Sequence, residues 1–81
     1  MERHFDNKKR MENLSYAVKY YRNKKGYTQE KLAEELGISR QHMAAIEAPN
    51  MDRGPFLDLI FNIATVLEIE PYLLLKFRFD L

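Results

Sequence analysis

Between Thr28 and Glu47 the sequence sets two helices of eight or nine residues on either side of Gly37 and Ile38, with nothing else to join them. Helices that short do not hold in water, because so few hydrogen bonds do not recover the cost of nucleation. They must pack on each other and on a third helix. That requirement restricts the chain to a small all-helical arrangement with a tight corner at Gly37. Thr28 is a good N-cap for the first of the pair, and Glu30 in the following turn suits the positive end of the helix dipole. Leu32, Ala33 and Leu36 form its buried stripe. Ser39 caps the second, which contains Met43, Ala44, Ile46 and Glu47. Gly37 can take a positive φ without a Cβ penalty. Ala33 is small enough for the second helix to cross closely, and Ile38 plugs the corner.

The remaining elements follow from periodicity. Leu14, Ala17, Val18 and Tyr21 share one face of a helix over about 12–25, which Gly26 stops. Tyr16 and Tyr20 lie four apart on another face. Residues 1–10 lack apolar periodicity apart from Phe5 and read as a flexible basic arm or an extra polar helical turn. Pro49, Gly54 and Pro55 bracket a loop that cannot be helical throughout. Leu57, Ile60, Ile63, Ala64 and Leu67 then mark a fourth helix, and Pro71 suits the first turn of a fifth that contains Leu74. From Lys76 to Leu81 charged and apolar residues alternate with period two, a strand pattern.

Composition narrows the function classes. At 81 residues there is room for one domain with a limited core, and cysteine is absent, so neither disulfides nor thiolate metal sites can support it. His4 and His42 are too few and too far apart to suggest a metal site, and no cofactor motif is visible. No nucleophile–base arrangement or glycine-rich phosphate loop supports an enzyme. The polar first ten residues do not resemble a signal peptide, and no apolar run reaches the roughly 18 residues of a membrane span, so a cytoplasmic protein is expected. A net charge of +1 hides an asymmetry, since residues 1–25 carry eight Lys/Arg against three acids and residues 26–81 carry five against nine. Such a basic end can offer a polyanion a local patch, or can simply be solvated.

Two capped helices around a glycine corner, the second opening with Arg40, Gln41 and His42, make up what a helix-turn-helix requires. Arg can take guanine through O6 and N7, and Gln can take adenine through N6 and N7, both in the major groove. The segment TQEKLAEELGISRQHMAAIE resembles the helix-turn-helix of the lambda-repressor/Cro-like family of bacterial and phage regulators. The resemblance runs from about Leu14 through Leu74 and includes Arg22, Gly26, Thr28-Gln29, Leu32-Ala33, Gly37, Ser39, Ile46-Glu47, Pro55, Ile63-Ala64 and Leu67. It implies an all-α, five-helix domain of the lambda-repressor type over residues 11–75, with the helix-turn-helix at 28–47. It also implies that Arg40, Gln41, His42 and Ala45 face base edges, and that Thr28, Gln29, Ser39 and Lys25 meet phosphates. Gln29 would brace Gln41, and Arg22 and Glu47 would form a partly buried ion pair.

The chain also departs from the family pattern. Ala45 and Ala48 stand where polar or basic residues are common, Pro49 where glycine is, and the loop from Glu47 to Pro55 looks about two residues longer than usual. The far end of the second helix therefore has few possible DNA contacts, which the basic arm at 1–10 would make up through phosphates. Beyond the main stripe, Phe56, Leu59, Phe61, Val66, Tyr72, Leu73, Leu75, Phe77, Phe79 and Leu81 form an apolar excess. Either the tail at 76–81 folds back on the body, or this surface is an interface. Reading a palindrome needs recognition helices about 34 Å apart in a C2 dimer. Phe56, Leu59, Tyr72, Leu73, Leu75, Phe77 and Phe79 are the expected dimer interface, with the tail strand pairing across the two-fold. The functional expectation is a homodimeric repressor on a palindromic double-stranded DNA operator, without cofactor or metal. The alternative is an antitoxin or similar module whose C-terminal apolar surface binds another protein.

Overall fold

A computed structural model describes residues 3–49, 55 and 57–78. It contains α1 (Lys8–Lys25), α2 (Gln29–Leu36), α3 (Arg40–Ile46), α4 (Leu57–Leu67) and α5 (Pro71–Lys76). Among the described residues there is no strand.

Local chemistry accounts for most of the boundaries. The Thr28 hydroxyl accepts from Lys31 N at 3.0 Å and the Ser39 hydroxyl from His42 N at 2.9 Å, so both short helices begin on side-chain caps. Pro71 opens α5, where its missing N–H is no loss. Three helices end in one way, with the chain turning through the left-handed region. At α1 the turning residue is Gly26 (φ 84°), and Tyr27 N donates back to Arg22 O at 3.1 Å. At α2 it is Gly37 (φ 72°), and Ile38 N donates to Ala33 O at 3.0 Å. At α4 it is Glu68 (φ 58°), and Ile69 N donates to Ala64 O at 2.9 Å. In each case the bond satisfies a carbonyl that the helix end would leave open, and an apolar or aromatic residue follows the turn.

One apolar cluster holds the helices together. Ala17 and Val18 of α1, Leu32 and Ala33 of α2, Met43 and Ile46 of α3, Ile60, Ile63, Ala64 and Leu67 of α4, and Leu74 of α5 are all buried in it. α2 packs against α3 and α4, while α1 crosses α4 and α5 on the other side of the core. Besides Arg22, the buried polar residues on α1 are Asn13 and Ser15, and the Ser15 hydroxyl donates to Ala48 O at 3.2 Å. That bond draws the chain leaving α3 back across the middle of α1.

Two expectations change, and of the two readings of residues 1–10 the structure takes the helical turn. α1 begins at Lys8, so the end of the basic leader forms its first turn and only residues before it remain outside the helix. The Asp6 carboxylate accepts from Lys8 N at 3.0 Å, giving that turn a start. Leu57, expected in the buried stripe of α4, is 58% exposed, because the core receives the face defined by Ile60, Ile63, Ala64 and Leu67 and Leu57 lies off it at the open first turn. The alternation of the tail does not carry strand structure through its described part. Lys76 completes α5, and Phe77 turns back onto α1 with its ring 5.6 Å from that of Tyr20 and 6.3 Å from that of Tyr21. Residues 79–81 lie outside the described residues, as does most of the 47–55 loop.

The left-handed turns lead to opposite outcomes for two substitutions. A Cβ at Gly37 meets no atom within 4 Å, so Gly37→Ala should destabilise by the backbone strain alone, about 1–2 kcal/mol. Glu68→Gly relieves the same kind of strain and should raise the melting temperature. Thermal unfolding followed by circular dichroism measures both, and a neutral Gly37→Ala would contradict the assignment of strain to that turn.

Candidate nucleic-acid interface

The exposed face of α3 is chemically uneven. Met43 and Ile46 point into the core, which leaves Arg40, Gln41, His42, Ala44 and Ala45 in solvent. The three long polar side chains occupy the first turn, and two methyl groups follow. Beside them, the N-cap hydroxyls of Thr28 and Ser39 each accept a backbone N–H and so retain their own O–H as a donor.

The orientation of α3 is set from its far end. Arg22 Nε donates to Glu47 Oε2 at 2.6 Å, and a second nitrogen of the same guanidinium donates to Glu47 Oε1 at 3.0 Å. The third donates to Tyr27 O at 2.6 Å. Both side chains are removed from water, with 9% of Arg22 and 2% of Glu47 accessible. Two parallel bonds to one carboxylate fix angle as well as distance. The group therefore joins α1, the α1–α2 turn and the residue that caps the end of α3 in one geometry.

Gln29 belongs to the same group. Its Nε2 donates to Glu47 Oε1 at 3.0 Å, so its amide is directed to the carboxylate and not to Gln41, the partner expected from sequence. The reason lies in packing: α3 ends against the start of α2, where a buried carboxylate with unfilled acceptor positions attracts a neutral donor more strongly than an exposed amide does. The bond to Gln29 had no signal in the linear sequence.

Lys25 is placed elsewhere. Its ammonium donates to Glu68 at 2.5 Å, tying the end of α1 to the turn after α4, and not to α2. That hydrogen bond, with the charge attraction beside it, holds Glu68 below the usual carboxylate range and raises Lys25 above the ordinary amine value. The pair is present at neutral pH, is lost as pH falls through the depressed pKa of Glu68, and is lost again as pH rises through the raised pKa of Lys25. With Glu68 76% accessible it contributes little to stability.

Of the residues expected at a dimer interface, Tyr72 and Leu75 on α5 are 57% and 60% exposed. Leu59 and Phe77 are partly buried against the core, and Leu73 lines a groove with Tyr21 and Leu67. Leu57 and Phe61 on α4, one turn apart and 58% and 47% exposed, add apolar surface that the expected set omitted. Phe56 and Phe79 lie outside the described residues. The first turn of α1 stands about 18 Å along the helix from Arg22, by its rise of about 1.5 Å per residue, which leaves Lys8–Arg10 well away from the Arg22–Glu47 pair.

The buried group makes a measurable commitment. Glu47→Ala leaves Arg22 buried without its carboxylate and should lower stability by about 3–5 kcal/mol in urea unfolding. The double variant Arg22→Met with Glu47→Leu, which removes both charges, should lose much less; equal losses would argue against a charge-pairing origin.

Comparison with known proteins agrees with this architecture. The helix-turn-helix family model matches residues 18–74. The HTH-type transcriptional regulator SinR of Bacillus licheniformis is 31% identical over 63 residues, which is 78% of this chain and 56% of that protein, so the chain spans about half the length of this relative. An uncharacterised HTH-type transcriptional regulator of Methanocaldococcus jannaschii, MJ0272, is 51% identical over 53 residues, covering 65% of this chain and 77% of that protein. Among solved structures, that of SinR, a master regulator for biofilm formation, in complex with DNA superposes with a TM-score of 0.70 at 28% identity, over 78% of this chain and 98% of that one. With the capped α2–α3 pair, the glycine corner and the matched span together, the chain belongs to the lambda-repressor/Cro-like helix-turn-helix family.

Proposed function

We propose that this protein is a cytoplasmic, sequence-specific DNA-binding regulator of transcription that acts as a homodimeric repressor on a palindromic operator. The observation that carries the reading is the capped, exposed first turn of α3, where Arg40, Gln41 and His42 stand together on a helix held rigidly by Glu47. Laid in the major groove, that turn puts Arg40 and Gln41 within reach of base edges, with His42 beside them and Ala45 offering a methyl contact one turn on. The free O–H groups of Thr28 and Ser39, and the open backbone N–H groups at the starts of α2 and α3, suit phosphate oxygens on either side. Gln29 can join them through its carbonyl or by exchanging partners, while Lys25 contributes to the field without a direct contact. SinR, the relative described in complex with DNA, supports the docking mode.

Dimerisation supplies what α3 lacks. Ala44 and Ala45 make no base hydrogen bonds, so one copy reads few base pairs, and a second copy doubles the site. Tyr72 of α5, with Leu57 and Phe61 of α4, are the exposed apolar residues from which a two-fold contact would be built, while Leu75 faces a groove toward α1.

Selection of bound sequences from random duplexes at stated salt should return an inverted repeat. Arg40→Ala and Gln41→Ala should each weaken that site by about 1–3 kcal/mol and relax preference at one position per half-site, whereas Thr28→Val should weaken all duplexes alike. Neutral behaviour of both Arg40→Ala and Gln41→Ala would refute the recognition reading. In sedimentation equilibrium the chain should be a dimer that Phe61→Ser with Tyr72→Ser dissociates; a monomeric parent would refute the dimer.

A further inference from the structure

The start of α1 is basic, and among the described residues its cations have no carboxylate partner. Lys8, Lys9 and Arg10 form the first turn of α1, which holds no acid. Three cations there oppose the helix dipole, an arrangement that weakens a helix start, and the single compensation is the Asp6 side chain accepting from Lys8 N. Arg10 bonds only the neutral amide of Asn7 at 3.0 Å, and no described carboxylate pairs with Lys8, Lys9, Arg10 or Arg78. A local rule broken without internal compensation is a common mark of a functional surface.

These charges rim a groove of mixed lining, in which apolar side chains stand beside the amides of Asn7 and Asn13. Met11 and Leu14 of α1 form one wall, Leu75 and Phe77 of the α5 end form the other, and Arg10 and Arg78 stand at its edges around about 340 Å³ of space. Leu75 is 60% exposed, although the groove beside it could have covered it. None of the groove's lining residues belongs to α2 or α3, so it is separate from the exposed first turn of α3.

We infer that this groove is a docking site for an acidic amphipathic helix of a partner protein, whose apolar row enters between α1 and α5 while its carboxylates meet Arg10, Arg78 and the Lys8–Lys9 turn. The charge selects an acidic ligand. The apolar walls select a peptide over a phosphodiester backbone, which would leave Met11, Leu14 and Leu75 facing charge. A helix laid in a groove is an established way of combining these two requirements.

The test uses the full chain and a synthetic helix of about four turns, with leucines at i, i+3, i+4 and i+7 and glutamates on both flanks. Amide shifts in the labelled protein should centre on Met11, Leu14 and Leu75. Arg10→Glu combined with Arg78→Glu should weaken the titrated affinity about tenfold, with the melting temperature and duplex binding retained. The same helix with lysines in place of glutamates should not bind. Equal binding of the lysine helix, or shifts centred on α3 or α4, would overturn the inference. So would loss of duplex binding in the double variant, which would make the basic end a phosphate contact. A self-association that the double variant dissolves would show instead that a second copy fills the groove.

Discussion

Everything proposed for α3 depends on one buried carboxylate. Glu47 receives two donors from Arg22 and one from Gln29, and it stands at the point where α3 ends. A seven-residue helix has no persistence of its own, so its direction must come from tertiary contacts. Met43 and Ile46 anchor it to the core, but apolar contacts tolerate sliding and rotation. The bidentate arginine bond does not. Burying two charges brings no assured gain in stability over a well-packed apolar pair. The value of the pair in this fold is geometric: it fixes how the exposed first turn of α3 is presented relative to α1 and α2.

The same economy appears at the helix ends. Gly26 and Gly37 occur where the chain must turn left-handed, and the following N–H closes onto the helix. Glu68 occupies the equivalent place after α4 despite its side chain. Its carboxylate reaches Lys25 across the α1–α4 crossing, a contact that glycine would not make. Strain at the turn is thereby accompanied by a tie between two helices, although the tie is exposed and weak. At the opposite end of α1 the one tie is the local bond from Lys8 N to Asp6, and its cations, without a carboxylate partner among the described residues, stand beside an open groove.

Much of the fold is legible because its causes are local. Thr28 and Ser39 declare themselves as caps through the residues that follow them, and glycine at 26 and 37 marks the stops. The first turn of α3 could be read from sequence for the same reason, since a cap fixes which residues come next. Arg22 and Glu47 are 25 positions apart and could be joined only through resemblance to a family. Leu57, Gln29, Lys25 and Phe77 show where local reasoning ends. Each has an unremarkable sequence context, and each finds a place that depends on how two helices cross.

Sequence by itself determined the number of helices, most of their boundaries, the glycine corner and the polar turn that opens α3. Propensity, capping and apolar periodicity act over a few residues, so they can be read from neighbours. Only the tertiary structure decided that Gln29 turns to Glu47, that Lys25 pairs with Glu68, and that Phe77 packs on Tyr20 and Tyr21. It also decided that the basic start of α1 meets the end of α5. Those outcomes follow from interhelical angles, which arise from the fit of the whole core and are encoded in no single stretch of chain.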